Sequence, residues 1–143
     1  MANKKISELT PKGTQIQDDD LFMVSDYNGA TYDTKSVTGA NIRPFKTIMF
    51  NISQTGTSAP TKNYSYEDEV TQTFTFGYTS SGQYTLTSSS ALFTSNKTFL
   101  FISSGVAPTD EIGVIRDSTT QLTIFSHVND ALDKANLEIK IIK

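Results

Sequence analysis

The chain contains no cysteine and no tryptophan, and it has one histidine and four prolines among its 143 residues. Without cysteine it can form neither a disulfide nor a thiolate metal site, which excludes the disulfide-stabilised secreted class. No apolar run approaches the roughly 20 residues that a membrane-spanning helix needs. The formal net charge is −3. The chain therefore lacks the positive excess with which nucleic-acid-binding proteins displace counterions from phosphates.

The amino terminus carries two lysines, Lys4 and Lys5, but no apolar segment follows them. A secretory signal peptide needs such a segment directly after its positive charges. We therefore expect no signal peptide and no membrane insertion, and we expect the protein to be made and assembled in a cytoplasm.

The residues that are abundant favour β-strands. Charged residues make up only 19% of the chain and aromatic residues 10%, while serine and threonine supply about a quarter of it. Aromatic and β-branched side chains suit the pleated, half-buried surface of a strand. A chain of this length fits one domain with a short appendage.

Alternating apolar residues define strands throughout residues 45–143. Phe74 and Phe76 share one face of a segment, and Tyr84 and Leu86 share one face of the next. Such segments recur about every ten residues with turn-forming residues between them. This spacing predicts an all-β fold, an antiparallel, jelly-roll-like β-sandwich.

Some segments allow finer predictions. Residues 97–102 are apolar on both faces, so we expect a central strand there. Gly77 is expected to close the strand that begins at Val70. Residues 53–69 are expected to form a loop with a short strand near Tyr64 and Tyr66, and residues 131–135 are the best candidate for a short helix.

Residues 1–43 are too few and too polar to have a core of their own. Ile6 and Leu9 are the apolar anchors of an extended arm. A short apolar strand begins at Leu21, and Asn28-Gly29 favours the positive φ angles of a tight hairpin turn. An isolated hairpin is marginal in water. We therefore treat 1–43 as an attachment element and 45–143 as the β-sandwich domain.

Three features of this segment occur in a fixed order: Lys5-Ile6-Ser7-Glu8-Leu9, then Asp19-Asp20-Leu21, then a hairpin strand that contains Thr34-Lys35. Together they resemble the amino-terminal element of tailed-bacteriophage virion proteins of the head-fibre and tail-fibre type, as in phages of gut Bacteroidota. Later segments, Gly82-Gln83-Tyr84-Thr85-Leu86 and Leu137-Glu138-Ile139-Lys140-Ile141, are more loosely similar to small carboxy-terminal β-domains of the same class.

The resemblance implies a non-enzymatic virion structural protein, a fibre or a capsid decoration, that assembles in the host cytoplasm and resides in the virion. It implies a homo-oligomer, most simply a homotrimer, fixed to capsid or tail proteins. Head placement is preferred over tail placement because the chain lacks a long shaft. The apolar residues of the arm and hairpin are the expected virion-docking set: Ile6, Leu9, Leu21, Phe22 and Val24.

The sequence offers little that could perform chemistry. The acidic run 18–20 lacks the glycine and distal glutamate of a calcium loop. The paired carboxylates of the run 67–69 could serve glycoside hydrolysis, but a run in a polar loop is usually solvated, and we interpret both runs in that way. His127 has no Gly-x-Ser-x-Gly nucleophile motif to serve, and a small hydrolase would need a paired acid and base that is not evident. We expect no catalytic residue, no cofactor and no metal.

Tyrosines beside polar loops are candidate ligand contacts. Aromatic rings in such loops can stack on sugar rings, so Tyr64, Tyr66 and Tyr78 are candidates for contact with a glycan or a host surface. Core packing or a subunit interface is the alternative role, and Tyr84, which alternates with Leu86, is assigned to the core. The chief alternative function is a carbohydrate-binding module of a bacterial surface protein, which would not need residues 1–43.

Overall fold

A computed structural model of the protein describes residues 20–27, 29–42, 44–67, 70–105, 111–127 and 132–143. The chain divides into two compact units, Met1–Arg43 and Pro44–Lys143. We call them the hairpin unit and the sandwich and describe each by itself.

The described residues of the hairpin unit form two antiparallel strands and one helical turn. Strand β1 (Leu21–Tyr27) pairs with β2 (Tyr32–Thr38), and α1 (Gly39–Ile42) follows. Gly29 lies between the strands with a φ of 95°, a conformation that glycine adopts without steric cost. The predicted hairpin is confirmed, whereas the predicted arm with Ile6 and Leu9 lies outside the described residues.

The described part of the sandwich contains two four-stranded antiparallel sheets, with strand orders β4-β3-β10-β7 and β5-β6-β9-β8. We call them the first and second sheets. This confirms the predicted all-β antiparallel sandwich. The eight strands are β3 (Phe45–Ser53), β4 (Thr61–Glu67), β5 (Phe74–Ser80), β6 (Gln83–Ser88), β7 (Thr98–Ser103), β8 (Ile112–Arg116), β9 (Gln121–Ser126) and β10 (Ala135–Ile142).

The core lies between the inner faces of the two sheets. Alternation along each strand sends every second side chain inward. The ring of Phe50 packs edge-on against Phe74 and Phe76, with ring centroids 5.4 and 5.5 Å away. The buried apolar residues are Ile48, Phe50, Ile52, Phe74, Tyr84, Leu86, Phe93, Leu122, Ile124, Leu132, Ala135, Leu137, Ile139 and Ile141.

Strand β7 corrects one prediction. It forms the edge of the first sheet and pairs with β10, so the prediction of a central strand was wrong. Leu100 and Ile102 pack on the core, but Phe99 and Phe101 project outward and stay exposed. The segment is apolar on both faces because its outer face carries exposed phenylalanines, not because a layer covers it.

Strand β5 continues past the predicted stop at Gly77 and ends at Ser80. Gly77 lies opposite Thr85, and a Cβ atom added at Gly77 would lie 2.6 Å from Thr85 Oγ1. Gly77 therefore permits close packing against Thr85 of the neighbouring strand β6 and does not end β5.

Two other segments also differ from expectation. Strand β4 spans seven residues, Thr61–Glu67, and is longer than the short strand expected near Tyr64. The predicted helix is wrong in its described part, because residues 132–134 form a turn and Ala135 already begins β10. Lys134 in that turn has a φ of 56°, which a helix does not contain.

Candidate binding groove and hairpin face

The exposed large apolar side chains of the sandwich collect on the outer face of the first sheet. In the described residues, one other such side chain, Ile115, projects from the second sheet. We call the outer face of the first sheet the aromatic face. Its exposed apolar residues are Phe45, Met49, Tyr64, Phe99 and Phe101.

A groove of about 410 Å³ crosses the aromatic face. Tyr64 on β4 and Phe101 on β7 line its two sides, and the two strands between them supply a floor that includes Asn51, Asn136 and Glu138. The two edge strands are three interstrand spacings apart, roughly 14 Å. Met49 also lines the groove, whose surface is mostly apolar, with aromatic walls and a few polar side chains on the floor.

The floor amides are linked by hydrogen bonds that set their orientation. Asn63 Nδ2 donates to Asn51 Oδ1 at 3.0 Å and to Ser53 Oγ at 2.7 Å. Asn51 Nδ2 in turn donates to Asn136 Oδ1 at 2.9 Å and to the Lys134 carbonyl oxygen at 3.3 Å. This chain of donors ends at Asn136 Nδ2, for which the described residues supply no acceptor.

A β-bulge shapes one wall. The register between β3 and β4 shifts at Asn51/Ile52, so that Asn51 lies opposite Tyr64 and Ile52 opposite Lys62. The extra residue is Asn63, whose amide lies on the same outer side as Tyr64, since it bonds to Asn51 and Ser53. Bulges of this kind re-aim a side chain and are frequent beside functional sites.

The floor carries one partly neutralised negative charge. The Glu138 carboxylate lies 3.2 Å from Lys140 Nζ, and the two side chains are 36% and 39% exposed. Glu138 lies between Met49 of β3 and Phe101 of β7 in the strand register. The carboxylate is therefore in the middle of the aromatic face.

The three tyrosines predicted as ligand contacts take different positions. Tyr64 is 64% exposed and lines the groove. Tyr66 lies opposite Met49 on the same face but is half-buried. Tyr78 is half-buried against the core, with its ring 5.9 Å from that of Tyr84, and it does not line the groove. Tyr84 is fully buried, which confirms its assignment to the core.

The hairpin unit carries its own exposed apolar surface. Leu21, Met23 and Tyr27 alternate onto one side of β1, and Tyr32 lies opposite Tyr27 with ring centroids 4.9 Å apart. We call these four residues the hairpin face; each is between 57% and 74% exposed.

The predicted docking residues of the hairpin are divided between its two sides. Leu21 belongs to the hairpin face, whereas Phe22, which is half-buried, and Val24, which is exposed, point to the opposite side. Sequence reasoning missed Met23, Tyr27 and Tyr32. The alternation of the strand was the signal that could have identified them.

Two of the polar residues considered for chemistry, His127 and Glu67, have contacts of their own. His127 is exposed and donates its backbone N–H to the Glu111 carbonyl oxygen at 3.0 Å, beside a depression of about 290 Å³. Glu67 forms an ion pair with Lys62 at 3.6 Å. Over the ranges the structure describes, no group of three or more histidine or acidic side chains is placed to hold a metal. Residues 18, 19, 68 and 69 of the acidic runs lie outside those ranges.

No known protein family, curated protein or solved structure matches the chain. Among the described residues, no helix has the length and apolar character needed to cross a membrane. The described residues offer two surfaces with the chemistry of a binding site, the groove and the hairpin face.

Proposed function

We propose that the protein is a non-enzymatic structural component of a phage virion, a fibre or capsid decoration. In this proposal the hairpin unit attaches it to capsid or tail proteins, and the sandwich is displayed. The observation that carries the proposal is the exposed apolar hairpin face, which lies on two strands that contain no buried residue. In the two hairpin strands every residue is exposed or half-buried.

The hairpin face has the chemistry of a docking surface. Complete burial of a leucine or methionine side chain stabilises a complex by roughly 1.5–3 kcal/mol, and tyrosine adds a large ring with a polar end. One hairpin would bind weakly. Several identical hairpins in one assembly would bind with high avidity, because each later contact forms at a high effective concentration.

The amino-terminal resemblance to virion proteins supports the same function. The proposal includes a homo-oligomer, a trimer as the resemblance implies, that is located in the virion. It requires no catalytic residue, cofactor, nucleic acid or membrane insertion.

The test is incorporation into phage particles. We would purify particles of a phage that carries the gene and detect the chain by mass spectrometry, with the wild-type chain and with Leu21→Asp/Met23→Asp. We expect the double variant to be lost from particles, since two carboxylates in the interface would be buried without partners. Ile115→Asp, which places one such carboxylate at an exposed apolar position of the second sheet, is the control and should be retained.

Two results would contradict the attachment proposal. One is absence of the wild-type chain from purified particles. The other is incorporation of Leu21→Asp/Met23→Asp at the wild-type level. Circular dichroism of both variants would show that the sandwich stays folded, so that loss of the protein is not mistaken for loss of attachment.

The groove favours a second candidate function, a carbohydrate-binding module of a bacterial surface protein. Such a module would act through the sandwich and would not depend on the hairpin face. Light scattering of the full chain, and of a shortened chain that begins at Phe45, separates the two candidates. A defined trimer supports the virion protein, and a monomer in both cases supports the module.

A further inference from the structure

We infer that the groove between Tyr64 and Phe101 binds a neutral carbohydrate. A sugar ring would stack on the aromatic walls, and its hydroxyls would bond to Asn136 and Glu138. The inference concerns the sandwich alone and does not rest on the attachment role of the hairpin unit. Failure of sugar binding would therefore leave the test of incorporation into particles unchanged.

The walls present the aromatic surface that a sugar ring requires. Tyr64 and Phe101 are 64% and 53% exposed, so neither ring is committed to the core. The face of an aromatic ring is negative, and the C–H groups on one side of a pyranose carry partial positive charge and make weak hydrogen-bond-like contacts to it. Rings that are anchored to edge strands of a sheet also lose little freedom when a ligand binds.

The floor supplies a donor and an acceptor. Asn136 and Glu138 are two residues apart on one face of β10, roughly 7 Å along the strand, which is comparable to the width of a sugar ring with its hydroxyls. The bond from Asn51 turns the Asn136 amide so that its NH₂ group remains available. A hydroxyl group both donates and accepts, so a polyhydroxylated ring can satisfy the carboxylate and the amide together.

The charge on the face favours a neutral sugar over a second copy of the chain. Two copies joined symmetrically through this face would place the same patch on both sides, and the two Glu138 carboxylates would be brought into an apolar interface. Burying charges without full pairing costs several kcal/mol each. A sugar offers hydroxyl donors to the same carboxylate, and because Lys140 already supplies the balancing charge, a neutral ligand leaves that ion pair intact.

The size of the groove agrees with a small ligand. Its volume of about 410 Å³ falls within the ~300–1,000 Å³ typical of small-molecule sites. Its walls and floor also come from four different strands, β4, β3, β10 and β7, so the fold holds them in fixed positions.

The test is an NMR titration of the isotope-labelled full chain with glucose, galactose, mannose, N-acetylglucosamine and rhamnose. We expect at least one sugar to give saturable shifts of the Asn51 and Asn136 side-chain amides and of the Tyr64 and Phe101 ring signals. Tyr64→Ala and Phe101→Ala should each weaken that binding about tenfold or more, or about 1.4 kcal/mol. Ile115→Ala, which removes an exposed apolar side chain from the other sheet, should leave it unchanged.

Several outcomes would overturn the inference. One is the absence of saturable shifts in the groove with every sugar of the panel, while the wild-type spectrum shows a folded protein. Another is binding that survives both Tyr64→Ala and Phe101→Ala. A third is a shift of the groove signals with protein concentration in the absence of sugar that Phe99→Ser abolishes, because it would assign this face to contact between copies of the chain.

Discussion

The two outer faces of the sandwich differ sharply, although their inner faces follow the same pattern. The aromatic face of the first sheet exposes Phe99, Phe101 and Tyr64. The second sheet turns threonines outward in the corresponding layer. We call this surface the threonine face; it is defined by Thr75, Thr85, Thr87 and Thr123.

This difference separates the residues that fold the domain from those available for binding. Both sheets send alternate apolar residues into one shared core, so each outer face is free to carry other residues. Threonine suits a strand surface and stays compatible with water. Several aromatic side chains clustered on an outer face do not serve solubility, and a contiguous exposed apolar patch is typical of a binding surface.

The largest expected effect comes from comparing a phenylalanine on the inner face of the first sheet with one on its outer face. Phe50 is 1% exposed and packs on Phe74 and Phe76, so Phe50→Ala should lower the free energy of unfolding by about 3–5 kcal/mol. Phe101→Ala removes the same ring from the aromatic face and should cost less than about 1 kcal/mol. Chemical denaturation followed by circular dichroism would measure both.

If Phe101→Ala proved as destabilising as Phe50→Ala, the aromatic face would belong to the folding core and the separation would fail. Phe99→Ala on the same edge strand provides a repeat of the comparison. A small loss of stability for both outer phenylalanines, with a large loss for Phe50, would support the assignment of the outer rings to binding.

A finer comparison uses one hydrogen-bonding amide on each outer face. Asn51 accepts from Asn63 and donates to Asn136 and to the Lys134 carbonyl oxygen, so Asn51→Ala breaks three hydrogen bonds and should cost about 1 kcal/mol. It should also weaken sugar binding, because the Asn136 amide loses its fixed orientation. Gln121 makes one bond of 3.3 Å to Asp117 on the threonine face. Gln121→Ala should cost less than about 0.5 kcal/mol and leave binding unchanged.

Denaturation midpoints and the NMR titration together decide the outcome. Equal losses of sugar affinity in Asn51→Ala and Gln121→Ala would show that the two faces are not distinct in function. A loss of affinity in Asn51→Ala without any shift of the Asn136 side-chain amide would remove the proposed role of the amide chain.

The strands could be predicted from the sequence because the alternation of apolar and polar residues is a local pattern. Ile48, Phe50 and Ile52 follow it on β3 and are buried. Of the predicted inner residues, Phe74, Tyr84 and Leu86 are also buried, and Phe76 is partly buried against the same core. Strand β4 was underestimated because its bulge places Asn63 and Tyr64 on the same side and interrupts the period of two. The sequence signal fails where the strand itself departs from regular pairing.

Only part of the candidate site could be predicted from the sequence. Tyr64 stood out as an aromatic residue in a polar segment. Phe101 did not, because an aromatic residue among other apolar residues is usually buried, and it was assigned to a central strand. Asn51 and Asn136 are 85 positions apart, and their contact follows from the pairing of β3 with β10, which no local pattern specifies.

The smallest expected effect on stability tests the charge at the centre of the aromatic face. Glu138→Gln keeps the shape of the side chain and removes the ion pair between Glu138 and Lys140. Both of these side chains are partly exposed. Such pairs contribute about 0–1 kcal/mol, so the denaturation midpoint should hardly move. Sugar binding should weaken several-fold, since a hydrogen bond to a carboxylate is roughly twice as strong as one to a neutral amide.

Light scattering of the same variant adds the decisive control. If the chain became a stable dimer once the charge was gone, with sugar affinity unaltered, the carboxylate would act to keep copies apart and not to bind a hydroxyl.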